Sequence, residues 1–322
     1  MPALFGFARP FVDAHHHFWN LDRNPYPWLQ DEVLPAFRYG DYSALRRNYL
    51  PADYARDTAG FAPAMTVHME AEWSRANPVD ESLWLAEVAA THGRPHAIVA
   101  HADLAASDAA ETLARQAAVS LVRGIRQKPT PTERGGRRSS ALAGSMDNDR
   151  WRAGYALLAP HGLTFDLQVP WWNLDQAADL ARDFADTLII LNHTGLPSDR
   201  SAEGLAGWRR ALEQLAAAPN TAVKISGLGL AGQPWRAQDN IALIRDTLAI
   251  FGHKRCLFAS NFPVDSLVAD YGTVMRGFVE AIAPLGDAQQ QAVLHDNAVR
   301  IYRLNSAPPY LATASAHQRQ PA

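Results

Sequence analysis

The stretch Phe11-Val12-Asp13-Ala14-His15-His16-His17-Phe18-Trp19 opens apolar and ends in an acid and three imidazoles. In an extended chain alternate side chains share a face, which predicts Asp13, His15 and His17 on one side and Ala14, His16 and Phe18 on the other. Imidazoles two residues apart stand about 7 Å apart along the backbone and can converge on one ion or one substrate oxygen. A pair of hydrogen-bonded core histidines is the plainer alternative. Further along, Glu70, Glu72, His101, Arg126, Gln127, Gln168, His193, Ser226 and Asn261 supply acids, bases, a guanidinium and amides, each at the polar end of a short apolar run.

Those runs are the elements that must position the chemistry. There are eight, near residues 11–19, 64–72, 96–104, 121–127, 163–170, 187–195, 221–228 and 255–263, with amphipathic stretches between them. Helices are predicted over 78–92, 149–159, 174–185, 202–218 and 238–251, several stopped by a Gly or Pro before the next strand. Nearly continuous apolar strands alternating with helices predict an α/β chain folded as a closed parallel (β/α)8 TIM barrel, whose active site lies at the C-terminal ends of the strands. The polar residues above collect at those ends. One barrel over 11–304 is expected, with a lead-in over 1–10, a terminal helix over 296–304 closing the barrel, and a polar, disordered tail over 305–322.

Two connections exceed ordinary turns. Residues 20–50 carry Tyr26, Trp28, Phe37, Tyr39 and Tyr42 and read as a rim over the barrel mouth. Residues 128–146, with Arg134, Arg137 and Arg138, read either as a lid that draws in an anionic substrate or as a solvated loop. Trp171 and Trp172, after Pro170, read as a pocket wall or as packing under a helix.

The totals narrow the class. A chain of 322 residues, 48% hydrophobic, has ample core, and a net charge of -3 with pI ≈ 6.5 gives no field that would gather nucleic acid. No apolar run is long enough for a membrane span, and no secretory signal is read at the start, so a cytoplasmic location is expected. The single cysteine, Cys256, excludes an internal disulfide and Cys-rich metal sites.

Five motifs resemble one family: Asp13-Ala14-His15-His16-His17-Phe18-Trp19, Gly124-Ile125-Arg126-Gln127, Leu191-Asn192-His193-Thr194-Gly195-Leu196-Pro197, Lys224-Ile225-Ser226-Gly227-Leu228 and Ser260-Asn261-Phe262-Pro263. They are similar to the amidohydrolase superfamily, more narrowly its amidohydrolase-related branch of fuconolactonase-like and 2-pyrone-4,6-dicarboxylate lactonase-like proteins. The resemblance implies a distorted (β/α)8 barrel with His15, His17 and His193 around a divalent ion. It places Asn261 where the family most often has Asp. An aspartate there takes the proton of the attacking water, which a neutral amide cannot do. The branch includes members thought to work without metal, so zinc or manganese on His15, His17 and His193 and a metal-free site both stand as expectations.

The expected activity is hydrolysis of a small carboxylate- or sugar-derived lactone. His15, His17, Glu70, His193 and Asn261 would be catalytic, and Arg126, Gln127, Gln168, Trp171 and Trp172 would bind substrate. A metal hydroxide or Glu70 ranks above Asp265 as base, because Asp265 reads as a cap of the next helix. Lys224 reads as a structural ion pair, His68 as a core residue one layer below Glu70, and His101 as secondary. A metal-dependent decarboxylase of an unsaturated acid, or a silent barrel that binds a small acid, are the competing readings. Partners are then small anionic or sugar-like molecules, not nucleic acid or membrane.

Overall fold

The computed structural model describes residues 9–31, 34 and 37–304. Most of the lead-in and the whole of the 305–322 tail lie outside the described residues. Eight strands, β1 (Val12–His16), β2 (Met65–Met69), β3 (Ala97–His101), β4 (Val122–Arg126), β5 (Thr164–Leu167), β6 (Ile189–Leu191), β7 (Thr221–Ile225) and β8 (Cys256–Phe258), pair in sequence order, all parallel. The seam between β8 and β1 is joined just beyond β8, where Asn261 N donates to His15 O at 2.8 Å and His17 N to Phe262 O at 2.8 Å. The barrel is thus closed by two segments that also carry site residues.

Helices α1 (Pro27–Gln30) and α2 (Pro51–Asp57) follow β1, and α3 (Val79–His92), α4 (Ala109–Ala118), α5 (Asp149–Tyr155), α6 (Leu174–Asp183), α7 (Ala202–Ala216) and α8 (Ala237–Phe251) follow the next six strands in turn. After β8 come α9 (Tyr271–Ile282), α10 (Asp287–Gln291) and α11 (Asn297–Tyr302). Their starts are set by local chemistry: Asn148, Ser201 and Asp270 each accept from the backbone N–H three residues on, and Gly93 at φ 69° ends α3. The helix expected over 149–159 is shorter, because α5 stops at Tyr155 and a 3-10 turn follows. Helices α4 and α9 have no counterpart in the sequence reading. Alanine-rich α4 has Leu113 as its one large apolar residue, and α9 carries Gly272 and Gly277, which look like breakers. Gly277 is instead a close-packing position, where a Cβ would stand 2.3 Å from the ring of Trp235.

Inside the barrel, Val12, Ala14, Val67, Val99, Ala222 and Leu257 form one buried cluster with Ala298, Ile301 and Tyr302 of α11, which plugs the bottom as expected. Above this plug Lys224 Nζ and Asp166 Oδ1 form an ion pair at 2.7 Å, and Tyr302 OH donates to Asp166 at 3.0 Å. Lys224 is therefore the structural ion-pair member expected of it. No helix among the described residues is long and apolar enough to cross a membrane.

Candidate active site

Between Asp13 and His16 the pairing of β1 with β2 slips, Asp13 opposing Thr66 while His16 opposes His68. This one-residue bulge reverses the alternation. Asp13 therefore does not share a face with His15 and His17, as strict alternation predicts. Its carboxylate accepts from Tyr54 OH at 2.6 Å and Ser260 Oγ at 2.6 Å, toward the surrounding helices. His16 packs outward on Phe18 and Tyr54, with ring centroids at 4.5 and 4.8 Å. His15 and His17 turn inward together, 5.0 Å apart, and His15 lies 4.7 Å from His193. His68 is likewise not a layer beneath Glu70. It stands behind the wall next to His16, with Nε2 3.3 Å from Phe18 O, while Val67 and Met69 face the interior.

His193 is delivered by a turn after β6 in which His193, Thr194 and Leu196 all have positive φ (53°, 50° and 57°). Such geometry in non-glycine residues costs roughly 1–3 kcal/mol each and persists only where surroundings hold it. Here Trp208 Nε1 donates to Thr194 O at 2.7 Å, and Leu196 N to His193 O at 2.9 Å. The ring Nδ1 of His193 meets Ser226 Oγ at 2.9 Å, and Nδ1 of His17 meets Met69 O at 2.8 Å. Burial, reinforced by surrounding cations, keeps all three imidazoles neutral: His15 and His193 lie well below the usual histidine range, and His17 is pushed down to about 3.

Across the mouth, Arg126 Nε donates to Glu70 Oε1 at 2.8 Å, another of its nitrogens donates to Glu70 O, and Nη1 donates to Gln168 Oε1 at 3.3 Å. Glu70 also meets Arg75 at 3.4 Å. Burial alone would raise the Glu70 pKa, but Arg126 and then Arg75 outweigh it and hold the carboxyl well below its usual range. That makes Glu70 a poor proton acceptor. It fixes the plane of Arg126, and the base role expected of it is not what its surroundings favour.

Asn261, at φ 60°, donates from Nδ2 to Asp265 Oδ1 at 2.6 Å, and Tyr39 OH donates to the same oxygen at 2.8 Å. Asp265 is fully buried and its pKa is raised by that burial, which Arg38 and the two hydrogen bonds oppose. It is not a helix cap as expected but the group that sets the Asn261 amide, whose Oδ1 is left for the chamber.

The chamber, about 480 Å3, is bounded by His17, His193, Arg126, Gln168 and Asn261 on the barrel side and by Trp19, Trp28, Phe37 and Arg38 on the rim. The rim expectation for 20–50 is met: Trp19 and Tyr49 pair backbone to backbone, and Trp28 Nε1 donates to Ala71 O at 2.9 Å. Arg38, Arg75, Arg126 and Lys128 all line it, against the carboxylate of Glu72, which pairs with Arg75 and Lys128. Sequence reasoning had not singled out Arg38, Arg75 or Lys128. Their signal was proximity in sequence to the rim aromatics and to the ends of β2 and β4.

Other expected residues fall elsewhere. His15 lies directly under the floor, buried, with neither ring nitrogen bonded. Gln127 points outward, donating to Asp103 at 2.8 Å and accepting from Trp151 Nε1 at 2.9 Å, so it braces a loop rather than a substrate. Trp171 stacks outside the mouth under Arg134 and against Gly207 of α7, while Trp172 faces a second cavity. In the basic connection only Lys128 reaches the chamber; Arg134 pairs with Asp199 at 2.8 Å and Arg138 with Asp147 at 2.6 Å, clamping the segment down.

The imidazole trio has some features of an ion's shell and lacks others. In its favour, the outer nitrogens of His17 and His193 are held as ligand imidazoles usually are, and His15 is unpartnered. Against it, no carboxylate joins them, since Asn261 is neutral, Glu70 is committed to Arg126, and Asp265 stands behind Asn261. Among the described residues no three His, Cys, Asp or Glu side chains are arranged to hold an ion. As they stand, the residues offer three neutral imidazoles and no charged ligand, a weaker set for a divalent ion than one completed by a carboxylate.

The amidohydrolase family model Amidohydro_2 matches residues 12–304. The uncharacterised protein y4mH of Sinorhizobium fredii is 38% identical, over 91% of this chain and 98% of its own. The L-fucono-1,5-lactonase of Burkholderia multivorans is 30% identical, over 91% of this chain and 96% of its own. An amidohydrolase from the same species, crystallised with bound HEPES and with bound zinc, superposes with TM-score 0.75 at 27% identity, covering 92% of this chain and 100% of that one. With eight parallel strands closed around this mouth and a match across nearly the whole barrel, the chain belongs to the amidohydrolase family.

Proposed function

We propose that the protein hydrolyses a small carboxylate-bearing lactone in the rim-covered chamber, with its own side chains rather than a resident metal doing the work. The observation that carries this reading is the chamber's charge: four cationic side chains, against the one lining carboxylate of Glu72, surround two neutral imidazoles and the Asn261 amide. Such a site favours an anionic substrate and an oxyanion-like transition state. The similarity to a lactonase supports hydrolysis of a ring ester.

In this reading Arg38 and Lys128 take the substrate carboxylate. Arg126 keeps two of its five N–H groups after those given to Glu70 and Gln168, and offers them to the scissile carbonyl oxygen. Water sits between Asn261 Oδ1 and His193 Nε2, in the tautomer where Nδ1–H donates to Ser226. As the water oxygen bonds to the carbonyl carbon, its proton passes to His193 and the charge gathers on the oxyanion facing Arg126. Collapse breaks the ring C–O bond, and His193 returns the proton to the departing alkoxide.

The low basicity of His193 is supplied in part by the fields of Arg38 and Arg126. A bound carboxylate neutralises those fields, so the substrate itself raises the basicity of its own general base. A decarboxylase that relies on a bound metal fits the donor set less well.

The test is turnover of a panel of sugar-acid and dicarboxylate lactones, with metal content measured on protein purified without added metal and activity measured before and after chelation. Ring opening that survives chelation is expected. Stoichiometric metal with chelator-sensitive turnover, or carbon dioxide release without ring opening, would overturn the reading.

A further inference from the structure

Beside the reaction chamber lies a second cavity of about 450 Å3, walled by the connections after β5, β6 and β7. Arg38 and Gln168 line both cavities, so these two side chains form the partition between them. Its own walls are of two kinds. Trp172, Leu196 and Leu230 are apolar, and the Trp172 indole is fixed by donation from Nε1 to Thr132 O at 3.0 Å. Arg200 and Arg38 are cationic, and among the described residues no carboxylate lines the cavity.

The two guanidinium groups are anchored by neutral acceptors alone. Arg200 Nη2 donates to Leu228 O at 2.8 Å and to Asn240 Oδ1 at 3.3 Å, while its Nε and Nη1 have no acceptor. Arg38 donates to Gly227 O and lies over the Tyr39 ring at 4.5 Å. A Cβ at position 227 would stand 3.0 Å from Arg38 Nη1, so the glycine is what lets the guanidinium lie across the partition. Each full charge is thus held in place without a carboxylate as hydrogen-bond partner, and in Arg200 both Nη2 hydrogens are used while the buried Nε and Nη1 keep theirs.

We propose that this second cavity is a subsite for a terminal anionic group, a carboxylate or a phosphate, carried on an apolar stem by a substrate whose lactone ring occupies the first chamber. The inference rests on the reading of the first chamber as the reaction site and extends it. The substrate is then an elongated molecule with two anionic groups, one held by Arg38 and Lys128 near the ring and one by Arg200 at the far end. Arg38 on the partition senses both. The apolar wall of Trp172, Leu196 and Leu230 takes the stem between them.

Calorimetric titration of the full chain with malonate, longer α,ω-dicarboxylates up to suberate, and ω-phosphono carboxylates of matched length tests this without requiring turnover. Affinity is expected to rise about tenfold once the chain is long enough to reach both cavities. Arg200→Ala should remove that gain and leave malonate binding unchanged. Leu230→Trp, which fills the cavity and keeps both guanidiniums, should do the same and decides the matter if the arginine variant fails to fold. Comparing the carboxylate with the phosphonate series identifies the terminal group. No gain with length, or a gain that survives both substitutions, overturns the second subsite while malonate binding keeps the first chamber's reading intact. Failure of every probe on the wild-type protein overturns both.

Discussion

At the scale of single residues, the proposed reaction is tested most directly at the position after β8. Asn261 and Asp265 share a hydrogen bond of 2.6 Å, so the amide cannot turn without breaking the pair. Asn261→Asp would place a second carboxyl against Asp265. Two such groups must share a proton, as like charges this close cannot both ionise. The expected outcome is turnover at least about tenfold lower at neutral pH, partly restored as the pH is lowered and the pair takes up its proton. A variant faster than the parent at pH 7 would mean that this site waits for a carboxylate base, and His193 would lose the role given to it. Asp265→Asn removes the acceptor of both Asn261 and Tyr39, and should lower kcat about tenfold with little change in KM, since neither partner grips the substrate. Of this group the sequence made Asn261 legible by resemblance. The role of Asp265 was not legible, because a carboxylate just past the run 255–263 looks like a cap until Tyr39, 226 positions away, is seen to bond to it.

At the scale of elements, β1 shows why local pattern reading stops short. Strict alternation grouped Asp13 with His15 and His17, and the prediction failed at one point, the bulge before His16. Nothing in residues 11–19 marks a bulge, because it is imposed by pairing with β2 and by closure onto Phe262. The eight strands themselves were legible, since fully buried parallel strands are near-continuous apolar runs. The connection after β7 makes a sharper test of the site. Gly227 has φ +60°, and a Cβ there would lie 2.6 Å from His193 Nδ1, where only a hydrogen-bonded contact to Ser226 now fits. Gly227→Ala should push the imidazole off Ser226 and displace Arg38. Turnover is expected to fall by at least about tenfold, given that misplacement near 1 Å can cost a hundredfold, against a stability loss of about 1–2 kcal/mol from the left-handed alanine. Kinetics and denaturant unfolding measured on the same variant separate the two effects. Unchanged kcat would show that the seat of His193 is not under catalytic demand.

At the scale of the whole molecule, the barrel carries an unusual load of neutral histidine. His15, His16, His68 and His193 lie well below the usual range and His17 at about 3, all by burial first. In the unfolded chain each would titrate near 6.5. Below that pH the unfolded state binds protons that the folded state refuses, so stability is full above about pH 6.5 and falls as the pH drops. Three acids act in the opposite sense. Burial raises Asp13 and Asp265 and takes Glu81 to about 8, so the folded state holds protons there that the unfolded state has lost. His96 and His101 are lowered as well, so the depressed histidines outnumber the raised acids and the unfolded state gains more protons than the folded one as the pH falls through the range of free histidine. Urea unfolding at pH 7.5 and at steps down to pH 5 should therefore show a steep loss of stability before any surface carboxylate titrates. His16 isolates the cause, since it faces Phe18 and Tyr54 outside the chamber and neither of its ring nitrogens is bonded. His16→Phe keeps the ring packing, removes one titrating group, and should cut the slope by about one proton, roughly 1.4 kcal/mol per pH unit. An unaltered slope in that variant would place the acid sensitivity elsewhere. A slope that falls as expected would show that the barrel tolerates its buried imidazoles only because they stay neutral at working pH, the same condition that keeps His193 able to accept a proton.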